Sequence, residues 1–354
     1  MDPKMNQMLQ LMDRPAFCVL DGQILWANQG ALARMIPLNT PVAQLICAGK
    51  EEYLNFHSGW MYLTISAGGS RWGASVCPVE QYHVFTLEPE DLAKEFRSLA
   101  LVAQELRNPL NRVLTMTERL FPSLNLPENS DAGAQVARIN RGLHQMLRIV
   151  GNMSDAARYM ANPPHLETRD VNALLQELFD QAEVLFQCAG ISLSFTGLPA
   201  PVHSLVDAEQ LERCVYNILS NSLKYGCAGG SVRASLTRRG NTLCLTVTDQ
   251  GSGIDPGKMG DVFNRFLREP SLTDPDQGLG LGMLLIRACA KAHRGTVLIS
   301  SEPSVGTSLT VSLPIRLDTT MLHSPRIRVD YAGERNHGLI ELSDSLPWEL
   351  YNSK

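Results

Sequence analysis

Between Glu90 and Met160 the chain carries two apolar stripes at three-and-four spacing. Phe96, Leu99, Val102, Leu106, Leu110, Val113 and Leu114 mark the first. Val136, Ile139, Leu143, Met146, Ile149, Val150 and Met153 mark the second. This is the period of an amphipathic helix, and it is interrupted from Phe121-Pro122 to Pro127. Ser130 followed by Asp131 has the chemistry of a helix start. Two long helices joined by a short loop make an antiparallel hairpin. Alone it cannot close a core, so it is expected to pair with a second copy into a dimeric four-helix bundle.

The stretches on either side read differently. Residues 1–88 alternate apolar and polar in short runs, as in Phe17-Cys-Val-Leu-Asp-Gly-Gln-Ile-Leu-Trp26, where Asp21-Gly22 is a hairpin signal. Trp60–Ser66, Arg71–Val76 and Gln81–Leu87 continue this small α+β pattern. In 164–316, helices are expected at Asn172–Gln187 and Ala208–Lys224. Strands are expected at Ile191–Thr196, Val232–Arg238, Thr242–Asp249, Thr296–Ser301 and Thr307–Leu313, with Gly240-Asn241 turning the middle hairpin. Residues 317–354 read as a tail with a strand pair, Ile327–Tyr331 and Leu339–Leu342. The expected organisation is therefore multidomain α+β, divided at 1–88, 89–163, 164–316 and 317–354.

Composition narrows the function classes. With 354 residues, 44% hydrophobic and a net charge of −5, the chain is long and apolar enough for several packed domains and is not a disordered chain. Thirty-one Lys and Arg against 36 Asp and Glu leave no basic footprint for nucleic acid or an anionic membrane. No apolar run approaches the roughly 18–20 residues of a membrane span, and Met1–Met12 lacks the core of a signal peptide. The eight cysteines are scattered without a C-x-x-C pair. Free thiols in a reducing, cytoplasmic setting are expected rather than disulfides or a sulfur metal site.

Four separated pieces of 164–316 carry chemistry. Asn217, Asn221 and Lys224 share one helix face, and Tyr225 follows them. Three polar groups on an otherwise apolar helix suit a ligand: amide oxygens complete an Mg²⁺ shell and Lys meets phosphate. Asp249, at a strand end before Gly251 and Gly253, can accept from an exocyclic amine. Phe263-Asn-Arg265-Phe266 is an aromatic and basic cluster. Gly278-Leu279-Gly280-Leu281-Gly282 opens a helix, where free N–H groups favour phosphate. Singly, each also reads as a cap, a turn or a surface face.

In this order the pieces resemble the ATP-binding domain of bacterial sensor histidine kinases, an α/β sandwich of the wider GHKL family shared with DNA gyrase. The resemblance implies ATP and Mg²⁺ as cofactors, with Asn221 on the metal and Asn217 and Lys224 on the phosphates. It also implies Tyr225 beside the base, Asp249 on adenine N6, and Gly251, Gly253, Arg265, Gly278, Leu279 and Gly280 around the nucleotide. The segment from Gly253 to Gly278 would be a lid. The helical hairpin resembles the dimerisation and phosphoacceptor domain of the same family, whose box reads His-Glu-Leu-Arg-x-Pro-Leu.

Here that box reads Gln104-Glu105-Leu106-Arg107-Asn108-Pro109-Leu110, complete except for the histidine. The nitrogen of Gln104 is delocalised and is no nucleophile, so Glu105 and Asn108 have no imidazole to orient. His144 is expected on a solvated helix face and lacks a following Glu, His293 is expected to be structural, and Asp276 stands where the family carries a glycine. Residues Pro15–Leu87 resemble a PAS sensor domain and equally fit a small structural module, with Cys18 and His57 as packing residues. The expected function is a histidine-kinase-like signalling homodimer that binds ATP without phosphorylating itself at the usual position. Its partner would be a response regulator or another kinase. Two alternatives stay open: an active kinase altered at 104 or using another acceptor, and a non-enzymatic sensor module.

Overall fold

The computed structural model describes residues 10, 12, 14–88, 92–123, 131–226, 229–255, 280–317 and 336–351, the side chains of 92–100 and 121–123 excepted. Turn chemistry sets the first sheet. Asp21 and Gly22 take φ of 49° and 76°, the left-handed pair a two-residue hairpin requires. They fold β1 (Ala16–Leu20) back on β2 (Gln23–Ala27). Gly68 and Gly69 do the same between β4 (Trp60–Ala67) and β5 (Ser70–Val79). With β6 (Tyr82–Leu87) the order is β2-β1-β6-β5-β4, and the short β3 (Ile46–Ala48) pairs with β4. One-turn helices α1 (Gln29–Ala33) and α2 (Lys50–Leu54) belong to this unit, whose core joins Phe17, Ile24, Met61, Ile65, Val76 and Phe85. Cys18 is buried. His57 is not the packing residue expected: Tyr53 and Phe56 take the inward positions, and His57 is exposed.

The hairpin helices are α3 (Leu92–Ser123), which continues through Pro109, and α4 (Asp131–Ala161). They pack through Leu110, Leu114, Leu143 and Leu147. The apolar stripes are wider than this contact. Val102, Leu106, Val113, Met116 and Leu120 on α3, and Ile139, Met146 and Ile149 on α4, remain exposed. Ser130 lies outside the described residues.

The second α/β unit puts α5 (Val171–Cys188), α6 (Ala208–Tyr225) and α7 (Leu281–Ala292) against a sheet. Its strands are β8 (Ser192–Thr196), β10 (Ser231–Arg239), β11 (Thr242–Asp249), β12 (Thr296–Glu302) and β13 (Gly306–Pro314). Their order is β12-β13-β11-β10-β8. Leu175, Phe179, Leu211, Val215, Leu219, Leu245, Ile286 and Val311 form the core between the layers. A separate ribbon, β7 (Glu167–Asp170) with β9 (His203–Val206), adds two strands beyond those expected. An aspartate ends or follows each: Asp170 caps α5 and Asp207 caps α6.

The two sheets join edge to edge. Tyr62, Met61 and Trp60 of β4 pair antiparallel with Val297, Leu298 and Ile299 of β12, giving a single sheet of eleven strands among the described residues, apart from the β7–β9 ribbon. Backbone approach here demands glycine. At Gly59 (φ 86°) a Cβ would lie 2.2 Å from the Ile299 carbonyl oxygen, and at Gly49 (φ 81°) 2.0 Å from Thr296 Cγ2. Glu88 reaches across to Arg287 (2.9 Å) and Lys291 (3.4 Å), and the Arg287 guanidinium stacks 5.0 Å from the Tyr62 ring centre.

The tail departs from expectation. Leu339–Leu342 is not a strand; it falls in and just after the helix α8 (His337–Glu341), followed by a 3-10 turn at Trp348–Tyr351. Asn336 caps the helix through Leu339 N, and the segment buries Ile340, Leu342 and Leu346 on neighbouring helices rather than alternating across a sheet. Ile327–Tyr331 lies outside the described residues. His144 is corrected with it: instead of facing solvent it is buried, with Nδ1 on the Asn140 carbonyl (2.8 Å) and its ring 5.0 Å from Tyr351. No helix among the described residues is long and apolar enough to cross a membrane.

Candidate nucleotide site

Three segments distant in sequence meet beside the C-terminal end of α6. Asp249 ends β11, where Gly251 N and Thr307 N both donate to its Oδ1 (3.0 and 3.2 Å) and Ser222 Oγ to its Oδ2 (3.4 Å). Two backbone donors fix one oxygen and leave Oδ2 with capacity for an amine. Burial pushes the Asp249 carboxyl above the usual carboxylate range, against the hydrogen bonds that pull it down. The glycines hold the chain close. A Cβ at Gly251 would lie 2.2 Å from the Tyr225 carbonyl oxygen, one at Gly253 2.0 Å from that of Glu302, and one at Gly306 2.0 Å from that of Asp249. Ser252 N donates to the Tyr225 carbonyl (3.1 Å), binding the turn after β11 to the end of α6.

Asn217 sits deeper than Asn221 and Lys224. It is 1% exposed, its Nδ2 donates to the Arg213 carbonyl (2.8 Å), and its Oδ1 has no hydrogen-bond partner among the described residues. That oxygen faces the opening turn of α7, 2.8 Å from where a Gly282 Cβ would stand. Asn221 and Lys224 are half-buried and Tyr225 is exposed, with Lys224 Nζ 5.6 Å from its ring centre. Gly280 starts α7 at φ 71° with no side-chain cap, so the first-turn N–H groups keep their anion-binding character. Arg265, Gly278, Leu279, Phe263, Phe266 and Asp276 lie outside the described residues.

Nucleotide and Mg²⁺ fit this donor set: a carboxylate with a free lone-pair side, a glycine floor, an amide oxygen without a partner and a helix N-terminus. Among the described residues no three His, Cys, Asp or Glu side chains cluster as metal ligands, so Mg²⁺ would rely on amide and phosphate oxygens. Gln104, Glu105 and Asn108 stand exposed on α3. His293 is 1% exposed; its Nδ1 lies on the Cys289 carbonyl (2.8 Å) and its Nε2 accepts from Asp207 N (2.9 Å). Both nitrogens are committed, and burial holds its pKa below the usual imidazole value. Sequence reasoning missed Ser222, Thr307 and Gly306. Only the Gly306-Thr307 step opening a strand gives a local signal.

Two family models match the chain in succession. The His Kinase A (phospho-acceptor) domain matches residues 97–162, and the histidine kinase-, DNA gyrase B- and HSP90-like ATPase matches residues 206–317. The sensor-like histidine kinase SenX3 of Mycolicibacterium smegmatis is 27% identical over 219 residues, 61% of this chain and 56% of its own. The sensor histidine kinase TmoS of Ectopseudomonas mendocina is 29% identical over 241 residues, 64% of this chain and 24% of its own. The chain thus spans about half the length of the SenX3 relatives it matches. Among solved structures, full-length ShkA in complex with AMPPNP aligns at 23% identity over 63% of this chain and 47% of its own, with a TM-score of 0.49. The mycobacterial sensor histidine kinase MprB aligns at 28% identity over 43% of this chain and 98% of its own, with a TM-score of 0.35. A phosphoacceptor-type hairpin followed by an ATPase-type α/β layer, each matched by its own family model, establishes that the chain belongs to the sensor histidine kinase family.

Proposed function

We propose that this chain is a signalling pseudokinase: it binds ATP with Mg²⁺ between α6, the end of β11 and the start of α7, and does not phosphorylate itself at its family's acceptor position. One observation carries the second half. Gln104, exposed on α3 at the head of Gln104-Glu105-Leu106-Arg107-Asn108-Pro109-Leu110, presents an amide where an imidazole nucleophile would stand. Bound Mg²⁺ would supply charge neutralisation for the phosphates. The chain's own groups do the rest. Asp249 accepts from the base amine through Oδ2, Gly251 and Gly253 let the backbone approach the ring, and Lys224 with the α7 N-terminus faces the phosphates. Asn217 turns its partnerless Oδ1 to the opening turn of α7, beneath the phosphates, and Asn221 is the amide for Mg²⁺.

Further assignments belong to the same reading. The exposed seam of Leu106, Val113, Ile139, Met146 and Ile149 pairs two hairpins into a four-helix dimer. Residues 1–88, with strand order β2-β1-β6-β5-β4, act as a PAS-like sensor ahead of the 89–163 hairpin and the 164–316 ATPase domain. A response regulator or partner kinase in the cytoplasm would read the output. Calorimetry with ATP and Mg²⁺ tests the binding half: saturable binding that Asp249→Asn weakens is expected, and no heat at millimolar nucleotide overturns it.

A further inference from the structure

Residues 336–351 sit on the rest of the chain as a bound peptide would. Leu342, Leu346 and Tyr351 join the core of the ATPase layer. Ile340 instead inserts beside Leu114, Leu143 and Leu147 of the hairpin. One short segment therefore touches both units.

Its polar contacts are specific. From α4, Asn140 Nδ2 donates to the Tyr351 carbonyl (3.1 Å), and Arg141 donates to the carbonyls of Ser343 (2.9 Å) and Asp344 (2.7 Å). Gln145 Nε2 adds a bond to the Ser343 carbonyl (3.3 Å), and Arg148 pairs with the Asp344 carboxylate. The His144 ring lies edge-on to Tyr351. At the centre is Arg213 of α6, 1% exposed. Glu341 from the tail, Asp155 (2.7 Å) and Asn152 (3.1 Å) from α4 surround its guanidinium. A charge buried this deeply requires its partners, so three elements meet on one side chain. The carbonyl of Arg213 in turn receives Asn217 Nδ2, whose oxygen faces Gly282.

A second contact joins α4 to the ATPase layer directly: Ala156 and Ala157, with Met153, Tyr159 and Met160 beside them, meet Leu281, Leu284 and Leu285. The exposed Arg158–Glu209 pair there contributes little.

We propose that residues 336–351 are an intramolecular clip: lodged between α4 and α6, they hold the ATPase layer on the second hairpin helix, and their release frees that layer and uncovers the 140–148 face of α4. The clip stands on packing alone, so its test is run without nucleotide and is independent of the pseudokinase reading. Hydrogen exchange is compared between the full chain and the same chain carrying Asp344→Ala with Tyr351→Ala. The clip predicts about tenfold faster exchange in α4 over 140–157 and in α7 over 281–285, with β11 and β13 unchanged. A synthetic peptide of residues 336–351 in excess restores protection. Faster exchange confined to the tail overturns the proposal. An equal rise across β10–β13 reads as unfolding, and Asp344→Asn, at a partly exposed side chain, then decides by the same criterion: a rise in the two segments supports the clip and none overturns it.

Discussion

Asp249 combines a burial cost with the recognition role proposed for it, and the two give it a pH signature. Its carboxyl is held above the usual range because it is buried, so the ionised form costs the folded chain stability above the free-aspartate pKa of about 3.9, and acidification relieves that cost. The ionised form is the stronger acceptor for an amine. Nucleotide affinity should therefore fall as pH drops through the raised pKa, a decline that begins at higher pH than a free aspartate would give. Asp249→Asn should lose about 1.5–3 kcal/mol of binding together with that pH dependence, both read by titration calorimetry. His293 works in the opposite sense. Its folded pKa is lowered by burial, so the unfolded chain takes up a proton first, and stability should drop as pH falls below about 6.5. Denaturant unfolding from pH 8 to pH 5 measures this slope, which His293→Asn should flatten. The placement of Asp249 at a strand end, of Asn217 on its helix and of His293 in the core was legible in the sequence because strand, helix and glycine patterns flank them. The buried state of His144 was not, since Tyr351, the ring that covers it, lies far along the chain.

Element legibility follows the range over which an element's own side chains reveal its period. Strands β10 and β11, with Gly240-Asn241 between them, and helices α5 and α6 are long enough to show it. The ribbon of β7 and β9 has four residues a side, and polar ones dominate Glu167–Asp170. The tail helix has five residues, too few for periodicity to separate helix from strand. Ser222 and Thr307 escaped notice because they reach Asp249 only in the folded chain, one from α6 and the other across the β11–β13 pairing. The join between β4 and β12 is equally non-local, yet it leaves a trace in Gly49 and Gly59. Gly59→Ala should strain a left-handed backbone and push the Ile299 carbonyl away, destabilising the join by about 1–3 kcal/mol. Thermal unfolding of the full chain, with exchange at Val297–Ile299 as the local probe, would show it.

At the scale of the whole molecule, the described residues form three joined parts and leave an exposed apolar seam. The strand join fixes the N-terminal unit to the ATPase layer, and the tail bridges that layer to α4. The seam on α3 and α4 is left over, and in the dimer proposed above a second copy would cover it. Leu106→Lys with Met146→Glu should convert a dimer to a monomer by analytical ultracentrifugation while leaving the circular dichroism of the fold intact. A monomeric native chain at micromolar concentration would contradict that assembly. The central proposal is that one chain combines the family's nucleotide site with an acceptor turn that cannot accept. Incubation with γ-labelled ATP and Mg²⁺ tests it most directly, comparing the native chain with Gln104→His. The account predicts no acid-labile label on the native chain and label at residue 104 of the variant; acid-labile phosphate on the native chain would contradict it.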